Sequence, residues 1–487
     1  MTIGDTSAID QPASADTMTY RSHQWLFVAC LIVAILIPWH IRNLMDVEDA
    51  VTYFAYFNNS ATIHLPFYYT GYVALYTQLA AYAASFLSFP WQPFIYMCAA
   101  SVIGVYFTYQ LLVFIDGALK APVVSTILAL VLIAFMVRTH GTFNLFVNLT
   151  YNIWIGWLGL YLRVLNGLRG HRAGLTTIVL GLLSAWSHSF SVVLILPILG
   201  ALVLRLQRDP RIIIEFGIYL VATVLFPILL IEPGFPKPLP IHDMPARLVL
   251  MLLDIHSNTA LTIGIGLLLI AIGLPPALRS LRALCQRAPI ARDDYLILTM
   301  VFVGFGTVAI IFASGRVFVA DKIWARYLFT PFLSLILAAL VVASHRPWFV
   351  SGIMGIESRL QRPLTRPGGR VAGGFVVVAL LVATSLLQWR TVTASVADTI
   401  DTERFLAAAQ TYRATCTDGA FIHAWNKWSL VVLCHRRDLP TDSEAVSLTE
   451  DHVTLWGTEG SFRTADHDKP EIPMLFQPLN VMRLPGH

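Results

Sequence analysis

Three carboxylates follow closely on the first long apolar segment of the chain, which runs from Trp25 to Trp39. They belong to Asp46, Glu48 and Asp49. Acidic groups beside a lipid bilayer are costly unless they are solvated, paired or used, so they are candidates for function by default. A carboxylate held there can act as a general base and take a proton from an acceptor hydroxyl. The alternative is that the three acids only mark a solvated helix end.

Two cations late in the chain could serve the complementary task. Lys322 and Arg326 lie just before or at the start of an apolar run that extends from about residue 327. A cation stabilises a phosphate that gains negative charge as it leaves. Arginine is the better phosphate ligand, because its planar guanidinium can donate two parallel hydrogen bonds while lysine acts as a point charge. Arg326 could instead extend its charge to the membrane interface or pair with Asp321.

Histidines and other acids are weaker candidates. His188 stands between two serines in an apolar stretch. A histidine in such a place more often completes a turn than binds a ligand. His242, Asp243 and Asp46 have side-chain atoms that can bind metals, but the spacing of His242 and Asp243 matches no compact ligand motif. No cofactor is therefore certain, and a divalent metal ion stays an open alternative.

The composition is that of a polytopic membrane protein. Of the 487 residues, 56% are apolar and only 13% are charged, and the mean hydropathy is +0.66. Repeated apolar runs match the roughly 20 residues that a helix needs to cross a bilayer, which predicts about 11–13 transmembrane helices. The formal net charge of +4 comes mostly from arginines in loops and argues for anionic lipid headgroups, not for nucleic acid.

The apolar runs also predict the domain organisation. Residues 1–23 are expected to be a disordered cytoplasmic tail, 24–389 an all-α transmembrane domain with an acidic first outer loop at 42–68, and 390–487 a small soluble α/β domain. The run at 174–204 is long enough to be a tight pair of helices broken at 186–189. The clearest spans are predicted at 24–41, 69–89, 94–115, 121–138, 152–167, 174–204, 212–231, 259–278, 294–314, 327–344 and 371–389.

Arginine placement predicts the orientation, because short loops rich in Arg and Lys stay in the cytoplasm. Four such stretches lie near residues 169–172, 205–211, 279–292 and 346–370. Taking them as inside puts the C-terminal domain outside, where Cys416 and Cys434 could pair; spacing alone leaves that pairing open. Counting from the N-terminus and counting back from Arg169 disagree about loop 139–152, so one segment between 69 and 138 is re-entrant or miscounted.

Four short motifs resemble the GT-C superfamily of integral membrane glycosyltransferases, in particular its bacterial aminoarabinose and protein mannosyltransferase branch. The motifs are Glu48–Ala55, an acidic pair before an aromatic segment; His64–Tyr69; Trp324–Pro331, which is similar to an Arg-Tyr-x-x-Pro pattern; and Trp428–Leu430 with Arg436, Arg437 and Pro440. The order of the acids in the first motif is reversed relative to that branch. Loop 139–152 also lacks the second carboxylate that members commonly carry, which leaves a metal-assisted mechanism in doubt.

The resemblance implies an enzyme of the bacterial inner membrane whose active site faces the periplasm. It would move a sugar from a polyprenyl-phosphate carrier to a glycan or lipid acceptor of the cell envelope, with membrane lipids as its other partners. Asp49 or Glu48 would be the base, Asp46 a positioning or metal-binding acid, and Arg326 with Lys322 the phosphate ligands. Further candidates for the substrate groove are His64, Tyr68, Tyr69, His140, His188 and Tyr327.

Two other functions remain open from the sequence. A polysaccharide polymerase or ligase also uses lipid-linked sugars outside the membrane, although such enzymes commonly carry a large Arg- and His-rich late loop and the loop at 314–326 is short. A lipid or sugar transporter or flippase would more usually place charges in the middle of its spans. Glu215 is almost the only acid within a clear span, which disfavours ion-coupled transport.

Overall fold

The computed structural model describes a mostly helical protein. The residues that it describes are 53–63, 65, 68–69, 72–139, 149, 152–229, 257–313, 325–364, 402–425, 428–436 and 453–455. The helices are α1 Ala55–Asn59, α2 Leu75–Ala84, α3 Gln92–Leu119, α4 Pro122–Thr139, α5 Asn152–Leu168, α6 Leu175–Ala185, α7 Ile195–Val203, α8 Pro210–Leu229, α9 Ser257–Cys285, α10 Arg292–Ala313, α11 Ala325–Ser344, α12 Pro347–Leu364 and α13 Thr402–Thr415. The strands are β1 Tyr68–Tyr69, β2 Tyr72–Val73, β3 Ala420–Trp425, β4 Trp428–Leu433 and β5 Val453–Leu455.

Several helices are long and apolar enough to span a membrane. Within the described ranges three qualify by length and composition, and up to five qualify if each of two sharply bent helix pairs is taken as one span. The three are Phe89–Leu119, Pro210–Leu229 and Gly264–Cys285. At 1.5 Å per residue the first of them is about 45 Å long, more than the roughly 30 Å of a hydrocarbon core.

Local signals explain the break between α3 and α4. Lys120 adopts a left-handed conformation with φ 54° and ends α3, and its N–H donates to the carbonyl of Asp116. Pro122 then opens α4, where its missing N–H costs no hydrogen bond. The two helices therefore meet in a tight turn, and α4 runs back along the bundle.

Ion pairs and polar contacts collect at one end of the bundle, which we call the arginine end. Arg172 pairs with Asp209, and Arg279 with Asp294. His345 and Asp293 meet there as well, at 2.9 Å. The guanidinium of Arg292, at the start of α10, also donates to the carbonyl of Leu206, after α7. The chain segments that join α5 to α6, α7 to α8, α9 to α10 and α11 to α12 thus lie at the same end.

The opposite end, which we call the sheet end, carries the C-terminal elements. Aromatic and aliphatic side chains from α1, α2, the start of α3 and α13 form one buried cluster there with the C-terminal strands. Strands β3 and β4 form an antiparallel hairpin, and β5 pairs with β3 in parallel. A disulfide joins Cys416 at the end of α13 to Cys434 after β4, so the pairing that the sequence left open is present.

The predicted helix pair at 174–204 is confirmed. Its halves are α6 and a 3₁₀ turn, Ser189–Leu194, that continues into α7, and they are bent by 111° at the break. Because Arg172 before the first half pairs with Asp209 after the second, the first half begins and the second half ends at the arginine end. The turn between them points toward the sheet end and forms the tip of a re-entrant hairpin.

The predicted span at 69–89 is wrong. Strands β1, Tyr68–Tyr69, and β2, Tyr72–Val73, pair antiparallel, and α2 that follows has ten residues. Such a helix is about 15 Å long, half of a hydrocarbon core. Ser85, Ser88 and Pro90 end the helical pattern after α2. The strands directly before α2 leave too few residues for a helix that spans the membrane. Without this span the two ways of counting agree on the side of loop 139–152.

Helix α12 lies across the arginine end, at 98° to α11. Phe349 and Ile353 pack against the core of the bundle, while Trp348 is 72% exposed. The carboxylate of Glu357, on the same side as the two packed residues, accepts the N–H groups of Val123 and Val124. This acid of one helix therefore caps the first turn of another, where a helix dipole favours negative charge.

A buried ion pair joins α5 to α8. The Nε of Arg163 donates to Glu215 Oε1 at 2.5 Å and an Nη donates to Oε2 at 2.9 Å, with both side chains only 2% exposed. The same guanidinium also donates to the carbonyl of His171. Glu215, almost the only acid that the sequence places within a clear span, is thus neutralised by a neighbouring helix, as buried charges require.

Candidate functional site

The structure reaches only part of the predicted site. Tyr68 and Tyr69 form β1, and Arg326 and Tyr327 lie in the first turn of α11; the structure describes the backbone of these four residues. His188 is described in full. The remaining site candidates, Asp46, Glu48, Asp49, His64, His140, His242, Asp243 and Lys322, lie outside the described residues.

Helix α1 begins six residues after Asp49 and is buried at the sheet end. Asn58 and Gln92 exchange two hydrogen bonds between their side-chain amides, of 2.8 and 3.0 Å, at the start of α3. Asn59 Oδ1 accepts the backbone N–H of Leu433, which ends β4. The segment that follows the acidic residues is therefore fixed between α3 and the C-terminal sheet.

An aromatic ring joins this segment to a cation that the sequence did not single out. The ring of Phe89 contacts the ring of Phe54 edge-on, at 5.2 Å between centroids. The guanidinium of Arg413 lies over the same Phe89 ring at 5.6 Å, a distance at which a cation–π attraction operates. Gln410, one turn earlier on α13, accepts the N–H of Phe89. Arg413 is thus held at the start of α3, close to α1.

The surroundings of Arg413 are electrostatically unusual. Partial burial lowers the pKa of its guanidinium, and the charge of Arg436 lowers it further. Cys416 lies three residues after Arg413 and Cys434 two residues before Arg436, so the disulfide holds the two cations near each other. The positions of the two cysteines could have indicated this proximity from the sequence, but only with their pairing known.

His188 completes a turn at the tip of the re-entrant hairpin. Its Nδ1 accepts the N–H of Phe190 at 3.0 Å and caps the 3₁₀ helix, so the neutral ring carries its proton on Nε2. Its ring lies 4.6 Å from that of Trp154 and 4.5 Å from that of Phe190. The residue is buried, and the turn-forming role weighed from the sequence is the one that its contacts describe.

The tip is connected to the hairpin strands and to α2. The carbonyl of Trp186 accepts the N–H of Leu75, and Ser187 Oγ accepts the N–H of Tyr76. Val73 packs with Phe226 in a small buried cluster there. These contacts place β1, β2 and α2 against the tip, at the same end of the bundle as α1.

The direction of α11 places its first turn at the sheet end as well. The last residues of α11 lead to His345, which contacts Asp293 at the arginine end. The backbone of Arg326 and Tyr327, at the opposite terminus of this 20-residue helix, therefore lies on the side of α1 and of the tip.

The described residues contain no group of three or more His, Cys, Asp and Glu side chains that could hold a metal ion. No family model, no curated protein and no solved structure matches this chain.

Proposed function

We propose that this chain is an integral membrane glycosyltransferase. It moves a sugar from a polyprenyl-phosphate carrier to a glycan or glycolipid of the cell envelope. In this proposal the chain crosses the bacterial inner membrane several times, with its arginine end in the cytoplasm and its sheet end facing the periplasm. The positive-inside rule favours that orientation.

The observation that carries the proposal is the position of α1. The helix directly after Asp46, Glu48 and Asp49 is buried at the sheet end, and α11, whose first turn contains Arg326, begins at that end too. A transfer reaction needs a base and a phosphate-binding cation on one side of the membrane. The two segments that carry the proposed base and cation lie at the same end of the bundle, and this supports the proposal.

The proposed roles follow the chemistry of each group. Asp49 or Glu48 takes the proton of the acceptor hydroxyl as the bond between the sugar and the phosphate breaks. Arg326, with Lys322 beside it, stabilises the charge that returns to the carrier phosphate. Asp46 positions the acceptor.

Transfer assays with full-length protein in proteoliposomes test the proposal. A panel of radiolabelled polyprenyl-phosphate monosaccharides serves as donor, and extracted envelope glycolipids serve as acceptors. We expect Asp49→Asn or Glu48→Gln to lower the rate by about 100-fold or more, the usual effect of losing a general base. Arg326→Gln should lower it by a similar factor, about 100-fold, through lost charge stabilisation.

Two controls make the result specific. Asp209→Asn removes an acid at the arginine end and should leave transfer unchanged. Variants that keep the wild-type unfolding temperature but transfer sugar at the normal rate would remove the acidic residues from the mechanism. Products that carry many sugar repeats, or labelled donor that changes leaflet without transfer, would instead support a polymerase or a flippase.

A further inference from the structure

An exposed apolar edge lies between α2 and α3 at the sheet end. Phe86 is 71% exposed and Trp91 is 50% exposed, with Leu87 exposed between them. We call these three residues the membrane lip. They flank the buried Phe89 at the start of a helix long enough to span a bilayer. Aromatic side chains at the end of such a helix are typical of the interface between hydrocarbon and headgroups.

Two cations lie beside the membrane lip. The guanidinium of Arg413 lies over the ring of Phe89. Phe89 lies between Leu87 and Trp91 in the sequence. The disulfide between Cys416 and Cys434 keeps Arg436 close to Arg413. We call Arg413 and Arg436 the paired arginines. Throughout the described ranges neither forms an ion pair with a carboxylate.

Two neighbouring guanidinium groups repel each other unless an anion lies between them. Partial burial of Arg413 strengthens that repulsion, because less water screens it. Guanidinium groups bind phosphate oxygens with paired, parallel hydrogen bonds. The chemistry that fits this place is therefore a phosphate group, presented from the side of the membrane lip.

We propose that the paired arginines bind the phosphodiester headgroup of an anionic glycerophospholipid whose acyl chains lie over the membrane lip. A soluble anion would gain no binding from the apolar surface of the lip. Two positive charges favour a headgroup with a net negative charge over a zwitterionic one. The bound lipid would hold α13 and its sheet against the membrane surface. This site does not depend on the proposed glycosyl transfer.

Photolabelling of the full-length protein in nanodiscs tests the proposal. The probe is a phosphatidylglycerol with a photoreactive group on one acyl chain, used at a low mole fraction in neutral lipid. A phosphatidylcholine with the same acyl group is the matched probe. Mass spectrometry of the digested protein then measures labelling of the peptide that contains Phe86, Leu87 and Trp91.

We expect the anionic probe to label this peptide more strongly than the neutral probe in the wild-type protein. Each arginine near a membrane surface contributes about fivefold to the affinity for an anionic lipid. The Arg413→Gln/Arg436→Gln variant should therefore lose most of the excess labelling. Arg404→Gln, which changes an exposed arginine on the same helix, should keep it.

Three results would overturn the proposal. Equal labelling by the two probes in the wild-type protein is one, and it does not depend on the folding of any variant. Excess labelling that survives in a double variant with wild-type unfolding temperature is another. Complete competition by inorganic phosphate would show a site for a free anion in place of a lipid.

Discussion

The buried ion pair between Arg163 and Glu215 allows a quantitative test of how the bundle is held together. Both side chains are almost fully buried and share two hydrogen bonds. Replacing Arg163 by Met leaves the carboxylate of Glu215 buried without its partner, which costs about 3–5 kcal/mol of unfolding free energy. Replacing Glu215 by Leu leaves the guanidinium in the same state, at a cost of about the same size.

Removing both charges together should cost far less. Buried ion pairs replaced by apolar side chains of similar volume are often neutral or stabilising. Here Arg163 also donates to the carbonyl of His171, and losing that bond costs about 1 kcal/mol. We therefore expect the Arg163→Met/Glu215→Leu variant to be more stable than either single variant by at least about 2 kcal/mol.

Reversible unfolding of full-length protein in mixed micelles, followed by tryptophan fluorescence, measures the four free energies of this cycle. Arg208→Met, at an exposed arginine, is the control and should change stability by less than about 0.5 kcal/mol. If the effects of the two single substitutions simply add in the double variant, the two charges do not stabilise each other and the reasoning fails.

Three further outcomes follow from described contacts. Glu357→Gln should weaken the cap on α4 by about 1 kcal/mol, and faster hydrogen exchange of the two capped amides would show it; unchanged exchange would contradict the cap. Gly181→Ala should destabilise the protein by about 1–3 kcal/mol, since the added Cβ would meet the hydroxyl of Tyr219, and an unchanged unfolding temperature would argue against that packing. Cys416→Ser/Cys434→Ser should cost about 3 kcal/mol within the C-terminal elements, seen as faster proteolysis there, and wild-type resistance would refute it.

The sequence predicted the described apolar helices α3–α5 and α8–α11 well, because a run of about 20 apolar residues has one inexpensive structure in lipid. It did not predict α12, which lies in the arginine-rich stretch 346–370 that was expected to be a cytoplasmic loop. It also located the break at 186–189, where His188 and its neighbouring serines can satisfy backbone groups locally. The error at 69–89 has the opposite cause. Residues 68–73 are mostly aromatic and apolar, and periodicity cannot tell whether such a short run is a strand or part of a helix. Contacts of Leu75 and Tyr76 with the tip of the re-entrant hairpin fix the start of α2 directly after the strands.

The cation beside α1 could not be predicted from local pattern. Arg413 belongs to a helix of ordinary composition, and nothing near it in the sequence marks a site. Its importance comes from Phe89, more than 300 residues earlier, and from the disulfide that positions Arg436. Contacts over such separations depend on how the whole chain packs, which periodicity does not encode. The acidic residues could be found from the sequence, because the free-energy cost of a carboxylate beside lipid depends on the apolar segment next to it in the chain.

The hydrogen bond from Leu433 to Asn59 Oδ1 joins residues 374 positions apart. A ribosome adds roughly 5–20 residues per second, so the earlier partner would wait roughly 20–75 seconds for the later one during synthesis. Over that interval the segment after the acidic residues lacks the strands that cover it in the finished protein. Activity that depends on this segment would therefore appear only after the chain has been made through β4, and nascent chains inserted halfway would be inert.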